Sequence, residues 1–219
     1  MPASPPGAED LVRAAEASGV RDPRVLDAFR RVLRERFVPP DRVAEAYADR
    51  PIPIPHDQVT TQPSLVAQMV AVLELRGTER VLEVGTGLGF QTAVLATLAR
   101  EVWSIERFAD LAAEAERNLR DAGIGNAEVV VGDGTMGLSQ RAPFDAMVVS
   151  AASPSVPDPL VDQLTEGGRL VHPLGHGGDE WVTAFTKKGD RLVPVAVVVP
   201  AHFVRLVGRH GLPERPTRG

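Results

Sequence analysis

The sequence has no cysteine among its 219 residues. This absence excludes disulfide bonds, thiolate nucleophiles and cysteine-ligated zinc, so any chemistry must rely on oxygen groups, imidazole or a cofactor. Long apolar runs are missing as well, because no segment reaches the roughly 18 apolar residues that a membrane-spanning helix needs. The first ten residues, MPASPPGAED, also lack the basic start and the apolar stretch of a secretory signal. We therefore expect a cytoplasmic protein with no membrane partner.

Basic residues are too few for a large nucleic-acid-binding face. The chain has 24 Lys and Arg against 29 Asp and Glu, which gives a formal net charge of −5. Its densest basic run is RRVLRER at 30–36. Apolar residues recur in and around that run at helical spacing: Phe29, Val32, Leu33 and Phe37. We interpret the run as the solvated face of a helix and predict no nucleic-acid partner.

Prolines mark where regular structure should stop in the first third of the chain. A helical pattern runs from about 9 to 37 and ends at the prolines of 38–40. Prolines then interrupt 50–63, which predicts an irregular loop of a length that is often functional. Pro63 suits the first turn of the helix that follows.

After Gly77, short β-branched runs alternate with helical patterns. The predicted strands are RVLEV (80–84), VWSI (102–105), AEVVV (127–131), FDAMVVS (144–150), GRLVHP (168–173) and two strands around the turn KKGD within 181–199. The alternation predicts parallel strands with crossover helices, and the last two strands an antiparallel pair. The fold class is therefore α/β: a doubly wound, Rossmann-like, mostly parallel sheet with an N-terminal helical and loop region.

The segment VLEVGTGLGF (81–90) is a strand that runs into a glycine-rich turn and opens a helix. A dinucleotide fingerprint starting at Gly85 would need a glycine at 90, where the chain has Phe90. The form E-x-G-x-G-x-G, beginning at Glu83, resembles the first motif of class I methyltransferases, which bind S-adenosylmethionine. In that family the acidic residue meets the amino group of the methionine end, directly or through water. A nicotinamide-dependent enzyme remains an alternative at this point.

Two further carboxylates follow the next two predicted strands. Glu106 ends the second strand and could accept hydrogen bonds from both ribose hydroxyls, or be a surface acid at a helix start. Asp133 follows the third and could accept from the adenine amino group, or be a turn aspartate. Three acids after three successive parallel strands fit one ligand at the carboxyl edge of the sheet. The sequence therefore predicts S-adenosylmethionine as cofactor.

Several further motifs are similar to those of protein-L-isoaspartate O-methyltransferases over roughly 27–207. They include RFVPP (36–40), AYAD (46–49), PIPHDQVTTQPSLVAQM (53–69), APFDAMVVSAA (142–152), LTEGGRLVHPLG (164–175) and FVRLVG (203–208). The resemblance implies an enzyme that methylates the α-carboxylate of isoaspartyl residues, after which the ester closes to a succinimide and repair begins. The chain departs from the family at Val59, Thr61, Leu88, Phe90 and Arg205, where threonine, serine, serine, tyrosine and proline are usual.

The resemblance also places functional residues on this chain. The expected cofactor-binding set is Thr60, Gln62, Glu83, Val84, Gly85, Thr86, Gly87, Gly89, Glu106, Arg107, Asp133 and Gly134. The expected substrate-binding set is His56, Val59, Thr61, His202, Phe203 and Val204, the last three through their backbone. We predict one domain over 1–219, made of N-terminal helices and a substrate loop (1–76), a cofactor-binding core (77–207) and a flexible tail (208–219).

The reaction asks little of side chains, because a carboxylate is already ionised at neutral pH and needs no general base. Thr61 is the one predicted catalytic residue: its hydroxyl would aim the substrate carboxylate, or would cap the helix at Pro63. His172 and His176 have the spacing of a helical metal pair, but Pro173 and Gly175 between them argue against a helix. We therefore expect no metal site.

The expected partners are isoaspartyl-containing proteins and peptides, and the expected oligomeric state is a monomer. A dedicated peptide acceptor in peptide maturation would use the same chemistry, so it stays an alternative. A nicotinamide-dependent oxidoreductase or a non-catalytic adenosine-binding module are alternatives of another class.

Overall fold

A computed structural model describes residues 7–175 and 179–214, and over these residues the chain forms six α-helices and nine strands. The helices are α1 (Ala8–Ala17), α2 (Pro23–Arg31), α3 (Pro63–Ala71), α4 (Phe90–Leu98), α5 (Ala109–Asp121) and α6 (Asp158–Asp162). The strands are β1 (Ile52–Ile54), β2 (Gln58–Thr60), β3 (Arg80–Val84), β4 (Glu101–Glu106), β5 (Ala127–Val131), β6 (Phe144–Val149), β7 (Leu164–Leu174), β8 (Trp181–Lys188) and β9 (Arg191–Pro200). No helix in this part of the chain is both long and apolar enough to cross a bilayer.

Seven strands form one sheet in the order β5-β4-β3-β6-β7-β8-β9. The pairs from β5 to β7 are parallel, whereas β8 and β9 add antiparallel to the edge. Val84 at the end of β3 lies between Ile105 of β4 and Val149 of β6, so three strands end side by side. This topology confirms the predicted fold class and brings the segments that follow these strands to one edge.

The N-terminal helices share a hydrophobic core with one face of the sheet. One cluster of buried side chains extends from Leu11 in α1, through Met69 in α3 and Val94 in α4, to Ala184 in β8. The apolar side chains of Val66, Met69 and Val70 in α3 are part of this cluster. Helices α1 to α3 are therefore packed on the sheet, and they hold both ends of the segment that connects α2 to α3.

The basic run at 30–36 is not the solvated helix face that its pattern predicts. Helix α2 ends at Arg31, the backbone is extended at Val32, and a 3₁₀ turn follows at 34–37. The side chain of Arg34 is fully buried. Its guanidinium donates to the carbonyl oxygens of Ala46 (3.0 Å), Ala48 (2.9 Å) and Arg50 (3.1 Å). Backbone carbonyls thus accept from the two terminal nitrogens of a buried cation, an arrangement that periodicity cannot reveal.

The segment 50–63 also differs from the prediction, because it contains a regular element. Strands β1 and β2 pair antiparallel, with Ile52 opposite Thr60. Pro53 is tolerated because a two-stranded ribbon has free edges, where a missing N–H costs no ladder bond. His56 and Asp57 form the turn with φ of 62° and 54°, the left-handed conformation of a two-residue hairpin. We refer to β1, this turn and β2 as the substrate-loop hairpin.

The start of the predicted flexible tail is tied to the core. The backbone N–H of Arg209 donates to Asp133 (2.7 Å), and that of His210 donates to the hydroxyl of Thr135 (3.1 Å). A Cβ at Gly208 would lie 2.0 Å from a carboxylate oxygen of Asp133, so this close approach requires glycine. Residues 208–214 therefore differ from the expected loose tail, and 215–219 lie outside the described residues.

His172 lies in β7, and its imidazole is fully buried. Its Nε2 is 2.9 Å from the hydroxyl of Ser153, which itself donates to the carbonyl of Ser155 (2.7 Å). His172 therefore donates from Nε2 and is neutral. Burial lowers the pKa of His172 from 6.5 to about 3. His176, which together with His172 has the spacing of a metal pair but is expected to bind no metal, lies outside the described residues.

We predict that His172 makes the protein less stable as the pH falls below 6.5. The unfolded chain takes up a proton near pH 6.5 and the folded chain only near pH 3, so acid favours unfolding. As the pH falls from 6.5 to 4.5, protonation of this group should lower the free energy of unfolding by about 2–3 kcal/mol. The measurement is urea unfolding at several pH values, compared with His172→Gln, which keeps a donor for Ser153.

The comparison with the variant isolates this histidine from other titrating groups. Glu83, whose pKa burial raises to about 7, acts in the opposite direction, since it favours the folded state as the pH falls. Both proteins retain Glu83, so the difference between their pH slopes reports His172 alone. Parallel slopes for the two proteins would contradict the prediction.

Candidate active site

The glycine-rich turn joins β3 to α4 in left-handed backbone conformations. Gly85, Gly87 and Gly89 have φ of 96°, 56° and 95°, which residues with a Cβ rarely adopt. Gly89 directly precedes α4, whose first turn starts at Phe90. The predicted turn therefore exists, and its backbone is open to a ligand at the carboxyl edge of the sheet.

Glu106 is fixed at the end of β4 beside this turn. Its side chain is 6% exposed, and its two oxygens accept from the backbone N–H of Gly87 (2.9 Å) and of Phe108 (3.1 Å). Each oxygen keeps a lone pair for a further donor. The carboxylate lines two adjoining cavities of about 70 and 60 Å³. This placement supports the predicted ribose contact, which stays a prediction.

Glu83 lies beneath the turn and does not line these cavities. It is fully buried and accepts from Gln91 (2.9 Å), Ser104 (2.6 Å) and the hydroxyl of Thr92. Burial raises its pKa to about 7, against the lowering effect of these three hydrogen bonds. The structure therefore places Glu83 behind Gln91, and the geometry favours an indirect contact with a ligand over a direct one.

Asp133 is held by neighbours on both oxygens. One accepts from the backbone N–H and the hydroxyl of Thr135 (2.9 and 2.7 Å), the other from Arg209. Burial would raise its pKa, but the hydrogen bonds from Arg209 and Thr135 prevail and lower it. Gly134, Arg107 and Val84 line the smaller cavity, whereas Asp133 does not. The adenine contact of Asp133 stays a prediction. Asp133 also holds the C-terminal segment, because it accepts from the backbone N–H of Arg209.

The larger of the two cavities lies between the substrate-loop hairpin and the glycine turn. Thr60, Val59 and Gln58 form its hairpin side, and Gly85, Thr86 and Gly87 its other side. The hydroxyl of Thr60 accepts from Arg34 (2.9 Å) and from the backbone of Ile52 (3.1 Å), which fixes the base of the hairpin. Hence Arg34 positions a wall of this cavity.

A groove of about 570 Å³ adjoins this cavity on the other side of the hairpin. One wall carries Thr61, Gln62 and Leu65, and the opposite wall carries the segment 201–204 after β9. The structure thus brings together Thr61 and the predicted HFV segment. Among the described residues that line the groove there is no Asp, Glu, Lys or Arg. Its size and neutrality suit an extended peptide.

Thr61 lies one residue before the N-cap of α3 and does not cap the helix. The N-cap residue is Gln62, and Asp49 accepts from the backbone N–H of Ser64 (2.8 Å) in the first turn. Gln62 donates to the second oxygen of Asp49 (2.9 Å), so its amide is engaged in this cap. The capping alternative for Thr61 is therefore wrong, and Thr61 lines both the cavity and the groove.

His56 is placed away from the groove. Its ring stacks on Phe108 with centroids 4.1 Å apart, and its Nε2 is 2.8 Å from a carboxylate oxygen of Asp110. The hydrogen bond from His56 lowers the pKa of Asp110. His56 therefore joins the hairpin tip to α5, and this position does not support the predicted peptide contact.

Gln91 and Ser150 are polar residues of the site that the sequence prediction missed. Gln91, in the first turn of α4, and Ser150, directly after β6, both line the larger cavity. Ser150 is the last residue of a predicted strand that ends at the same edge as Glu83, Glu106 and Asp133, which is a signal that could have found it. No group of three or more His, Cys, Asp or Glu suited to a metal ion occurs in the described parts of the chain.

Comparison with known proteins identifies relatives of this arrangement. The profile of the family described as protein-L-isoaspartate(D-aspartate) O-methyltransferase matches residues 7–211. The chain is 48% identical over 197 residues to the protein-L-isoaspartate O-methyltransferase of Methanoculleus marisnigri, covering 89% of this chain and 88% of that protein. The enzyme of the same name from Anaeromyxobacter dehalogenans is 50% identical over 190 residues, or 86% and 91% of the two chains.

Solved structures agree with these sequence matches. A protein-L-isoaspartate O-methyltransferase superposes with a TM-score of 0.81 at 29% identity, over 93% of this chain and 67% of that one. A Plasmodium falciparum structure in complex with S-adenosyl-L-homocysteine has a TM-score of 0.78 at 22% identity, over 90% and 97%, and shows the shared fold alone.

These findings confirm the predicted fold class, the enzyme class and S-adenosylmethionine as methyl donor. They argue against the nicotinamide alternative, as Phe90 in the turn already did. The chain belongs to the protein-L-isoaspartate(D-aspartate) O-methyltransferase family.

Proposed function

We propose that this protein transfers a methyl group from S-adenosylmethionine to the α-carboxylate of isoaspartyl residues in damaged proteins. The observation that carries the proposal is the position of Thr61, which lines both the cavity beside the glycine turn and the neutral groove. The family match over residues 7–211 supports the same acceptor. Monomeric action, the absence of a nucleic-acid partner and a cytoplasmic location stay predictions from the sequence.

The residues present fit the methyl donor. Glu106 offers fixed carboxylate oxygens to a diol, and the glycine turn offers backbone close to the ligand. When bound, S-adenosylmethionine supplies an electrophilic methyl group on a sulfonium. Thr60 and Gln62, from the predicted cofactor set, are engaged by Arg34 and Asp49, so we assign them a supporting role.

The chemistry requires alignment rather than proton transfer. The substrate carboxylate is ionised at neutral pH, so no base has to act on it. Thr61 donates a hydrogen bond that orients the carboxylate, and the apolar side chains of Val59 and Val204 line the cavity and the groove beside it. A water-poor site favours this step because the opposite charges of the two reactants cancel as the bond forms. The ester then closes to a succinimide without the enzyme, with loss of methanol.

The proposed acceptor predicts a sharp difference between two synthetic peptides that differ only in one aspartyl or isoaspartyl linkage. With radiolabelled S-adenosylmethionine, we expect label on the isoaspartyl peptide and only background on the aspartyl peptide. The physical reason is that only the isoaspartyl linkage leaves an α-carboxylate free in the chain. Initial rates over a series of unrelated isoaspartyl sequences complete the measurement.

The outcomes separate the remaining alternatives. Equal labelling of both peptides, or of neither, would overturn the repair proposal. Labelling of one peptide sequence alone would favour a dedicated acceptor in peptide maturation. Calorimetric titration with S-adenosylhomocysteine serves as the control that the protein is folded and binds the donor product.

A further inference from the structure

The donor cavities and the substrate groove meet at a small set of residues. Ser150 and Val204 line both cavities and the groove, while Val59 and Thr61 line the groove and the larger cavity. The methyl group has to cross from the cavities to the groove at this junction. Of the four residues, only Thr61 and Ser150 carry polar side chains.

Backbone contacts fix Ser150 at the junction. Its N–H donates to the carbonyl oxygen of Val84 (2.8 Å), which continues the pairing of β6 with β3. Gly85 faces it, and a Cβ at Gly85 would lie 3.4 Å from the Cβ of Ser150. The glycine turn and Ser150 therefore pack closely, and the serine side chain has a defined position.

The hydroxyl of Ser150 is oriented by a buried chain of polar groups. Its oxygen accepts from Nε2 of Gln91 (2.9 Å), and the same Nε2 donates to Glu83 (2.9 Å). Gln91 is 7% exposed, so this chain is shielded from water. Since the oxygen of Ser150 acts as acceptor here, its proton is left to donate, and it has no acceptor among the described residues.

We propose that Ser150 is a second catalytic hydroxyl, which donates a hydrogen bond to one oxygen of the acceptor carboxylate while Thr61 binds the other side of the same group. This inference rests on the proposed function. A carboxylate oxygen forms a bond to the methyl carbon, the bond from sulfur to carbon breaks, and its electron pair stays on sulfur. No proton moves, so Ser150 and Thr61 keep theirs throughout. Gln91 is a positioning residue that acts through Ser150.

The same geometry provides a control for stability. Removal of the Ser150 hydroxyl leaves one N–H of Gln91 Nε2 bonded to Glu83 but removes the partner of the other, whereas Ser150→Thr keeps both. The substitutions Ser150→Ala, Ser150→Val and Ser150→Thr form a matched series, because valine has the shape of threonine without its hydroxyl. The quantities to measure are kcat and KM for an isoaspartyl peptide, the affinity for S-adenosylhomocysteine, and the urea midpoint.

We expect Ser150→Ala and Ser150→Val to lower kcat/KM about 10- to 100-fold, the effect of one hydrogen bond to a charged group. Ser150→Thr should restore most of the activity. Affinity for S-adenosylhomocysteine should stay near wild type in all three. The urea midpoint should fall slightly in the alanine and valine variants, which leave one N–H of Gln91 without its partner, and stay near wild type in Ser150→Thr. Gln91→Met should lower activity alone but add little in the Ser150→Ala background, because both changes act through one group.

Two results would overturn the proposal separately from the assigned function. An active wild type with an equally active Ser150→Val variant would remove Ser150 from the reaction. A loss of activity matched by weaker S-adenosylhomocysteine binding, or a Ser150→Thr variant that restores the urea midpoint but not the activity, would show a structural role instead. A wild type that binds S-adenosylhomocysteine but leaves the isoaspartyl peptide unlabelled would overturn the proposed function, and the role of Ser150 with it.

Discussion

Glu106→Ala should weaken the binding of S-adenosylhomocysteine by about 2–4 kcal/mol, or roughly 30- to 1,000-fold. The side chain is buried and lines both cavities. Each of its two oxygens accepts a hydrogen bond from one backbone N–H, that of Gly87 or of Phe108. The alanine variant loses the proposed hydrogen bonds to the ribose and also frees the backbone of the glycine turn. Calorimetric titration of the folded variant measures the effect.

Two further variants show whether the carboxylate itself matters. Glu106→Gln keeps the shape and an acceptor oxygen, so it should lose part of the affinity but less than alanine. Glu116→Ala removes an exposed carboxylate on α5 and should bind like wild type. Wild-type affinity in Glu106→Ala would show that the ribose is bound elsewhere.

Thr61→Val should lower turnover of an isoaspartyl peptide by roughly one to three powers of ten, which is about 1.4–4 kcal/mol in the barrier. Valine keeps the shape of the side chain at the junction of cavity and groove but removes the hydroxyl that orients the acceptor carboxylate. Because Asp49 provides the cap of α3, the stability of the variant should stay close to wild type. Turnover and urea midpoint on the same protein measure both effects.

The controls for Thr61 use the fact that another residue, Asp49, caps α3. Thr61→Ser retains the hydroxyl and should retain activity. Asp49→Ala removes the cap and should lower the free energy of unfolding by about 0.5–2 kcal/mol. Normal turnover in Thr61→Val would exclude a catalytic hydroxyl at this position.

The sheet could be predicted from the sequence because its strands are short apolar runs between clear breaks. Runs such as 80–84 and 127–131 coincide with β3 and β5, and the antiparallel pair at the end follows from its turn. The substrate-loop hairpin could not be predicted in this way. Its prolines indicate irregular structure, and its short strands depend on contacts with Arg34, which is distant in sequence.

The sequence predicts the position of a residue where it follows a strand, but not the position of a side chain that depends on its partners. The sequence places Glu106 at the right edge, and the structure adds the two backbone donors that fix it. Glu83 lies behind Gln91, and His56 faces Asp110, because of hydrogen bonds that have no signature in spacing. Ser150 ends a predicted strand within the motif APFDAMVVSAA, but its position where both cavities and the groove meet is visible only in the structure.

The central claim is that the protein methylates isoaspartyl residues and so starts their repair. Its most direct measurement is mass spectrometry of one isoaspartyl peptide incubated with the protein and unlabelled S-adenosylmethionine over several turnovers. The account predicts a transient methyl ester on the isoaspartyl residue, then a succinimide, then accumulation of the aspartyl peptide. A peptide that stays unmodified, or a stable methyl group on another residue, would contradict it.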